Sequence, residues 1–252
     1  MAQLFSDSWA MFTRCMRVVF RSPDAVGMAI IAPAFLMWLF ANIFGNIIDV
    51  GEINYINFIV PGIILQAVTQ ATTAVAISVN NDMSRGIIDR FRSMAITRSS
   101  VLIGHVFASV VRNIFTTAII IGVGIAVGVR PQAGFVGWLV IAGVMILSIL
   151  AFTWIAVICG LLAKSPESAG AMMFPLFLLP FVSSGFAPTE TMTRGLRWFS
   201  THQPMTHIID TVRNLMLDLP LGNEIWLALA WSVGITIAAF VVAVQLYKRK
   251  LA

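Results

Sequence analysis

The feature that most constrains this chain is a run of residues, 135–163, that contains no charged side chain. An α-helix rises about 1.5 Å per residue, so about 20 consecutive apolar residues cross the hydrocarbon core of a bilayer. The run is longer than this and is mostly apolar. It therefore predicts a transmembrane helix rather than the core helix of a water-soluble domain.

The composition of the whole chain agrees with a membrane protein. Of its 252 residues, 59% are hydrophobic and 11% are charged, whereas soluble domains carry about 25% charged residues. The net charge of +5 does not indicate nucleic-acid binding, because the bases stand beside the ends of apolar segments, where they fix orientation. We expect the protein to be surrounded by membrane lipid and to bind no nucleic acid.

The apolar segments predict an all-α polytopic membrane protein that forms a single transmembrane domain over residues 1–252. The predicted spans TM1 to TM6 are 26–48, 57–79, 101–129, 135–163, 170–186 and 224–246. Residues 3–21 precede them and predict an amphipathic helix in the membrane interface, since Phe5, Trp9 and Phe12 share one face and arginines share another. This start has no cleavage site of a signal peptide.

The distribution of basic residues predicts the orientation of the spans. With six spans, the bases of the N-terminus, of residues 80–100, Lys164 and the terminal Lys248-Arg249-Lys250 lie on one side. The other side has fewer bases in more residues, so both termini are predicted to be cytoplasmic, in the cell membrane. Arg112, near the start of the third span, is expected to extend to the cytoplasmic interface by snorkelling.

The predicted spans contain no obvious source of energy for transport. No acidic residue falls in the middle of a span; Asp24 and Glu224 stand at span ends. Ion-coupled carriers usually need a buried carboxylate, which disfavours such a carrier, although backbone carbonyls could still coordinate an ion. The segment 160–165 resembles a phosphate-binding loop but has Ala163 where the glycine before the lysine is required. We therefore expect no ATP hydrolysis by this chain.

Catalytic and metal-binding constellations are not predicted either. The Val182-Ser183-Ser184-Gly185 sequence resembles the serine turn of intramembrane proteases, but no histidine lies in a later span to activate the hydroxyl. His202 and His207 are five residues apart, which misaligns them on a helix for a metal ion. His105 is expected to be a packing residue. Cys15 and Cys159 form no disulfide framework.

Residues 80–100 form the most polar stretch of the chain. Asn80 or Asn81 can cap a short helix that has Asp82 in its first turn. On that helix Arg85 and Asp89 are neighbours one turn apart, and Phe91 offers an apolar contact. A solvated connector whose charges only set topology is the alternative. The apolar positions and the mixed charge favour a helix that rests on another protein.

Two groups of motifs resemble a known family. The first runs from Asp82 through Gly86, Asp89-Arg90-Phe91-Arg92-Ser93, Arg98-Ser99-Ser100-Val101-Leu102 and Gly104. The second is Ser183-Ser184-Gly185-Phe186-Ala187-Pro188, followed by Trp198-Phe199 and His202-Gln203-Pro204-Met205-Thr206. Their order and spacing resemble the permease subunits of type-2 ABC exporters, in the branch that includes the daunorubicin/doxorubicin resistance permeases.

The resemblance implies a permease of an ATP-driven exporter for an amphipathic drug, antibiotic or lipid-like substrate. It implies a second permease, identical or homologous, and two copies of an ABC ATPase subunit that bind ATP and Mg, with no cofactor in this chain. It also implies that residues 80–100 transmit the movement of the ATPases. The coupling residues carried over by position are Asp82, Arg85, Gly86, Asp89, Arg90, Phe91 and Arg92. The chain departs from the family pattern at two places. The wider superfamily often has a glutamate near the position of Ser84 or Arg85, and this branch tends to have a proline where Ala95 stands.

Residues 187–223 are too polar to span, and they are interrupted by Pro188, Pro204 and Pro220. Their regularly spaced apolar residues predict short re-entrant helices that fold partly into the outer leaflet and cap the exit. The candidates for a substrate path or outer gate are Phe177, Phe181, Phe186 and Trp198. Trp198 is equally typical of an ordinary interface anchor.

Overall fold

The computed structural model describes residues 23–45, 47–51, 53–84 and 98–250. Within these ranges the chain is helical and contains no strand, as the sequence predicts. The α-helices are α1 (Pro23–Phe44), α2 (Tyr55–Ser84), α3 (Arg98–Val127), α4 (Phe135–Leu162), α5 (Pro166–Met172), α6 (Phe174–Leu178), α7 (Arg194–His202), α8 (Pro204–Met216) and α9 (Glu224–Lys250). Short 3-10 helices cover Leu179–Val182 and Thr189–Thr191. The predicted interfacial helix over 3–21 lies outside the described residues.

Four of the described helices are long and apolar enough to cross a bilayer. They are α2, α4, α9 and the Leu102–Val127 part of α3. Two further apolar stretches, Ile31–Phe44 and Pro166–Val182, are shorter than a typical span. The chain is therefore a multi-pass helical membrane protein, and the count of six spans stays a prediction.

The polar stretch between the second and third spans is shorter than the sequence predicts. Helix α2 continues beyond the predicted end at residue 79 to Ser84, and α3 begins at Arg98. Asn80 and Asp82 are buried, 2% and 8% exposed, rather than solvated. Their side chains bond to neighbouring helices, so the helix does not need to end where the polar residues begin.

The fifth predicted span, 170–186, is broken in the structure into α5, α6 and the 3-10 helix that follows. Helix α5 begins with a capping box. The Ser165 hydroxyl accepts from the Ser168 N–H at 3.2 Å, and the Ser168 hydroxyl accepts from the Ser165 N–H at 3.0 Å. Pro175 and Pro180 then lie in the first turns of the next two pieces. Because proline has no N–H and restricts the residue before it, each interrupts the helical hydrogen-bond ladder.

Helix α2 lies at the centre of the described bundle, where it packs against α1, α3, α4, α5 and α8. Lipid supplies no hydrophobic force between spans, so close packing through small residues is needed. At Gly160 of α4, a Cβ atom would lie 2.5 Å from the carbonyl oxygen of Ala76 in α2. Only glycine permits this approach of the two backbones.

Polar contacts join the spans at other points. The Ser109 and Thr153 hydroxyls are 3.0 Å apart between α3 and α4, and the Ser148 hydroxyl is 3.3 Å from that of Ser232 in α9. Arg112 lies near the middle of α3 and donates a hydrogen bond to the Ala71 carbonyl of α2. This contact gives the guanidinium a partner inside the bundle, and the expected snorkelling stays a prediction.

The packing at Gly160 generates a first prediction. Gly160→Ala is expected to lower the free energy of unfolding by about 1–3 kcal/mol, because the added methyl group meets the backbone of α2. The measurement is the melting temperature in detergent, monitored through the loss of the monodisperse peak in size-exclusion chromatography. Gly143→Ala in the same helix is the control, since nothing lies within 4 Å of its Cβ position. Equal melting temperatures for the two variants would contradict the prediction.

Candidate functional site

The turn at residues 183–188 follows the broken helix and packs at the N-terminal end of α2. The turn is buried, with Ser183 0% and Ser184 4% exposed, so its backbone polar groups must find hydrogen-bond partners within the protein. The Gln203 side chain donates to the carbonyls of Leu179 and Val182, at 3.2 and 2.8 Å. The Ser183 hydroxyl donates to the Pro180 carbonyl at 2.6 Å. The side chains of Gln203 and Ser183 therefore stabilise the break.

Arg213 of α8 is the central residue of this region. It is 6% exposed, and its Nε donates to the Phe58 carbonyl of α2 at 3.0 Å. The same guanidinium donates to the Ser184 carbonyl and to the Asp210 carboxylate. Its central carbon lies 3.8 Å from the centroid of the Phe58 ring, a cation–π contact. One side chain thus joins α2, the 183–188 turn and α8.

Asp210 balances the charge of this buried arginine. Its Oδ1 accepts from the Ser184 hydroxyl at 2.6 Å and from Arg213. Burial lowers the pKa of the Arg213 guanidinium, and the Asp210 carboxylate opposes that effect. An arginine in this setting stays stable only when its N–H groups and its charge are matched, and the network around Ser184 supplies both.

A second set of contacts holds the 183–188 turn on α2. The Tyr55 hydroxyl donates to the Phe186 carbonyl at 2.9 Å. A Cβ atom on Gly62 would lie 2.5 Å from the Gly185 carbonyl oxygen. The turn therefore touches the backbone of α2 directly, in addition to the bonds through Arg213.

Three of the four predicted gate residues come together in a row of aromatic rings. Phe181 stacks on Phe186 with ring centroids 4.9 Å apart, and Phe177 follows at 5.8 Å from Phe181. Phe40 of α1 extends the row, 5.0 Å from Phe186. Trp198 lies apart from them on α7, where it is 66% exposed and stacks on His202.

An open groove of about 370 Å³ runs between the middle of α2 and the broken fifth segment. Its lining is mostly apolar, with two polar side chains from α2. The lining residues are Gln70, Thr73, Ala74, Ile77, Gly170, Met173, Phe174 and Phe177. Phe177 therefore belongs both to the groove and to the aromatic row.

The other candidate site lies at the C-terminal end of α2. Of the seven predicted coupling residues, only Asp82 is among the described residues; the six between Arg85 and Arg92 lie outside them. The Asp82 Oδ2 is 2.9 Å from the Nε2 of His105 in α3. His105, expected to be a packing residue, is thus part of a buried ion pair or hydrogen bond. Asn80 donates to the carbonyls of Gly160 and Ala163 in α4, at 3.1 and 2.7 Å.

The two histidines of the 187–223 stretch lie on different helices, His202 at the end of α7 and His207 in α8. The Nδ1 of His202 lies 2.7 Å from the Trp198 carbonyl. His207 is partly buried, and this burial lowers its pKa. Among the residues that the structure describes, no group of three or more His, Cys, Asp or Glu side chains is placed to hold a metal ion.

The sequence of this chain matches known proteins over most of its length. The family model of the ABC-2 type transporter matches residues 7–217. The chain belongs to this family. The daunorubicin resistance ABC transporter permease protein DrrB1 of Streptomyces coeruleorubidus is 28% identical over 224 residues, 88% of this chain and 78% of that protein. The probable doxorubicin resistance ABC transporter permease protein DrrC of Mycobacterium tuberculosis H37Rv is 26% identical over 223 residues, 88% and 80% of the two chains.

Neither Arg213 nor Asp210 of this ABC-2 chain was predicted from the sequence as a site residue. A signal was present: on a helix, Arg213 falls one turn from both Ile209 and Met216, within the apolar stripe of α8. A basic residue in an apolar stripe needs an internal partner. The second missed signal was the pair of prolines within the fifth predicted span.

The Arg213 network generates a second prediction. Arg213→Ala is expected to destabilise the protein by about 3–5 kcal/mol, because it leaves a partly buried carboxylate and two carbonyls without their donor. The measurement is the midpoint of thermal unfolding in detergent. Arg194→Ala is the matched control, since Arg194 lies exposed on α7 and exposed substitutions usually change stability by less than about 0.5 kcal/mol. A similar melting temperature for both variants would show that the network contributes little.

Proposed function

We propose that this chain is the transmembrane permease subunit of an ABC exporter that moves an amphipathic drug, antibiotic or lipid-like molecule out across the cytoplasmic membrane. The observation that supports this most is the ABC-2 type transporter match over residues 7–217. The relatives, which cover 88% of the chain, are resistance permeases for two amphipathic antibiotics. The mostly apolar groove beside α2 has the chemistry that such a substrate requires.

The energy comes, in this proposal, from two copies of a separate ABC ATPase subunit that bind ATP and Mg. A second permease, identical or homologous, completes the transporter. Helices α2 and α3 bracket residues 85–97 and would receive the movement of the ATPases through them. Arg85, Gly86, Asp89, Arg90, Phe91 and Arg92 are the proposed contacts, carried over from the family pattern.

The proposed topology has six spans with both termini in the cytoplasm. The bases Lys248, Arg249 and Lys250 in the last turn of α9 support a cytoplasmic C-terminus. This orientation puts the C-terminal end of α2 on the cytoplasmic side and the 183–188 turn on the outer side. The exposed apolar residues of α7, among them Trp198 and Phe199, then face the outer leaflet.

The proposed mechanism uses the two ends of α2 in turn. ATP-driven closure below α2 moves the segment 85–97 and reorients the helices around the groove. The aromatic row from Phe177 to Phe186 separates the groove from the outer side, and the Arg213 network holds this row closed. Export requires these outer contacts to rearrange, as in a two-state helix packing that both sites bias.

The ATPase coupling is tested by purifying the tagged chain from its native operon in nanodiscs. We expect an ABC ATPase to co-purify, and Asp89→Ala or Arg90→Ala to reduce transport per ATP hydrolysed by about fivefold or more. Arg194→Ala serves as the control, since its exposed side chain lies on α7, far along the chain from residues 85–97. A chain that purifies alone and transports with an ion gradient, without ATP, would refute the exporter and support an ion-coupled carrier.

The groove is tested by the variant Phe177→Ala. Removing this ring is expected to raise the substrate concentration for half-maximal transport by about fivefold, because about 1 kcal/mol of apolar contact is lost. Phe135→Ala is the control, since Phe135 is 79% exposed at the start of α4 and does not line the groove. An unchanged concentration dependence for Phe177→Ala would place the substrate elsewhere.

A further inference from the structure

The buried pair of Asp82 and His105 joins the two helices that flank residues 85–97. Asp82 lies two positions before the end of α2 at Ser84, and His105 lies in the second turn of α3, which begins at Arg98. The Oδ2 and Nε2 atoms are 2.9 Å apart, and the residues are 8% and 6% exposed. The pair therefore connects the entry and the exit of the segment at one level of the bundle.

Asp82 is 8% exposed, so little of its side chain is open to a contact with another protein. A carboxylate taken out of water is stable only when it is hydrogen bonded or paired, and removing one partner of such a pair is costly. An ATPase contact needs an accessible side chain, and Asp82 is directed to His105 instead. Its role in coupling, if it has one, must act through α3.

The same end of α2 is also fixed to α4. Asn80 donates to the Gly160 and Ala163 carbonyls, and the Gly160 backbone packs against Ala76. The last turns of α2 therefore belong to one unit with α3 and α4.

We propose that Asp82 and His105 are positioning residues for coupling. Their closed pair makes the ends of α2 and α3 move as one body, so that displacement of residues 85–97 reorients the spans instead of being lost in a separation of the two flanks. This inference rests on the proposed function. It reassigns Asp82 from an ATPase contact to an internal connection, and it adds His105 to the coupling machinery.

The test measures transport per ATP hydrolysed in the reconstituted complex of this chain with its co-purifying ATPase. Asp82→Ala and His105→Asn are each expected to lower this ratio by about fivefold or more while ATP hydrolysis continues. The double variant is expected to be no worse than either single one, because the two residues act through one contact. His105→Gln is expected to retain most of the ratio, since its amide nitrogen can occupy the position of Nε2.

Ser109→Ala is the matched control. It removes another buried hydrogen bond of α3, to Thr153 of α4, which does not join the flanks of residues 85–97. We expect transport per ATP hydrolysed by Ser109→Ala to stay near the wild-type value. A lower value for this variant would indicate a general loosening of α3.

Unchanged ratios in Asp82→Ala and His105→Asn would overturn the inference while the exporter itself stands. If Asp82→Ala fails to assemble, the comparison of His105→Gln with His105→Asn is decisive. Equal transport per ATP hydrolysed in these two variants overturns the inference, and a higher value for His105→Gln supports it. A wild-type complex that does not transport with ATP would instead refute the proposed function, which makes the two failures distinguishable.

Discussion

The described structure depends on one constraint, which is that buried backbone polar groups must find hydrogen-bond partners within the protein. Pro175 and Pro180 break the fifth segment, and the carbonyls of the 3-10 helix and turn that follow lie outside any α-helix. Gln203 and Arg213 bond several of these carbonyls. The position of α8 against α2, α4 and α9 follows from this need, since α8 carries Arg213 and begins directly after Gln203.

Helix α2 connects these observations because most of its surface is buried by other helices. Its N-terminal end is held through Tyr55, Phe58 and Gly62, and its C-terminal end through Asn80 and Asp82. Between them, the groove exposes Gln70, near the helix centre, to any molecule that enters. A single helix thus contacts the 183–188 turn, lines the groove and bonds to α3 through Asp82.

The sequence predicts the parts of this fold that depend on local composition. Residues 135–163 correspond to α4 within one residue, because an uncharged apolar run can only span. The predicted span 57–79 is shorter than α2, because the polarity of Asn80 and Asp82 suggested solvent, whereas both have partners on other helices. Arg213 was missed for the same reason: its partners Phe58 and Ser184 are distant in sequence, and only tertiary contacts reveal them. The coupling residues beyond Ser84 lie outside the described residues and stay predictions.

The uninterrupted length of α2 gives it the geometry of a lever. Gly62 and Asp82 are twenty positions apart, about 30 Å along the axis. A tilt of about 5° around the midpoint shifts each end by about 1.3 Å, which is enough to break a hydrogen bond of ordinary length. Gly62 touches the backbone of Gly185 without an intervening side chain, so no flexible group absorbs such a shift. In the proposed mechanism, a small rotation of α2 would therefore change the contacts at both of its ends.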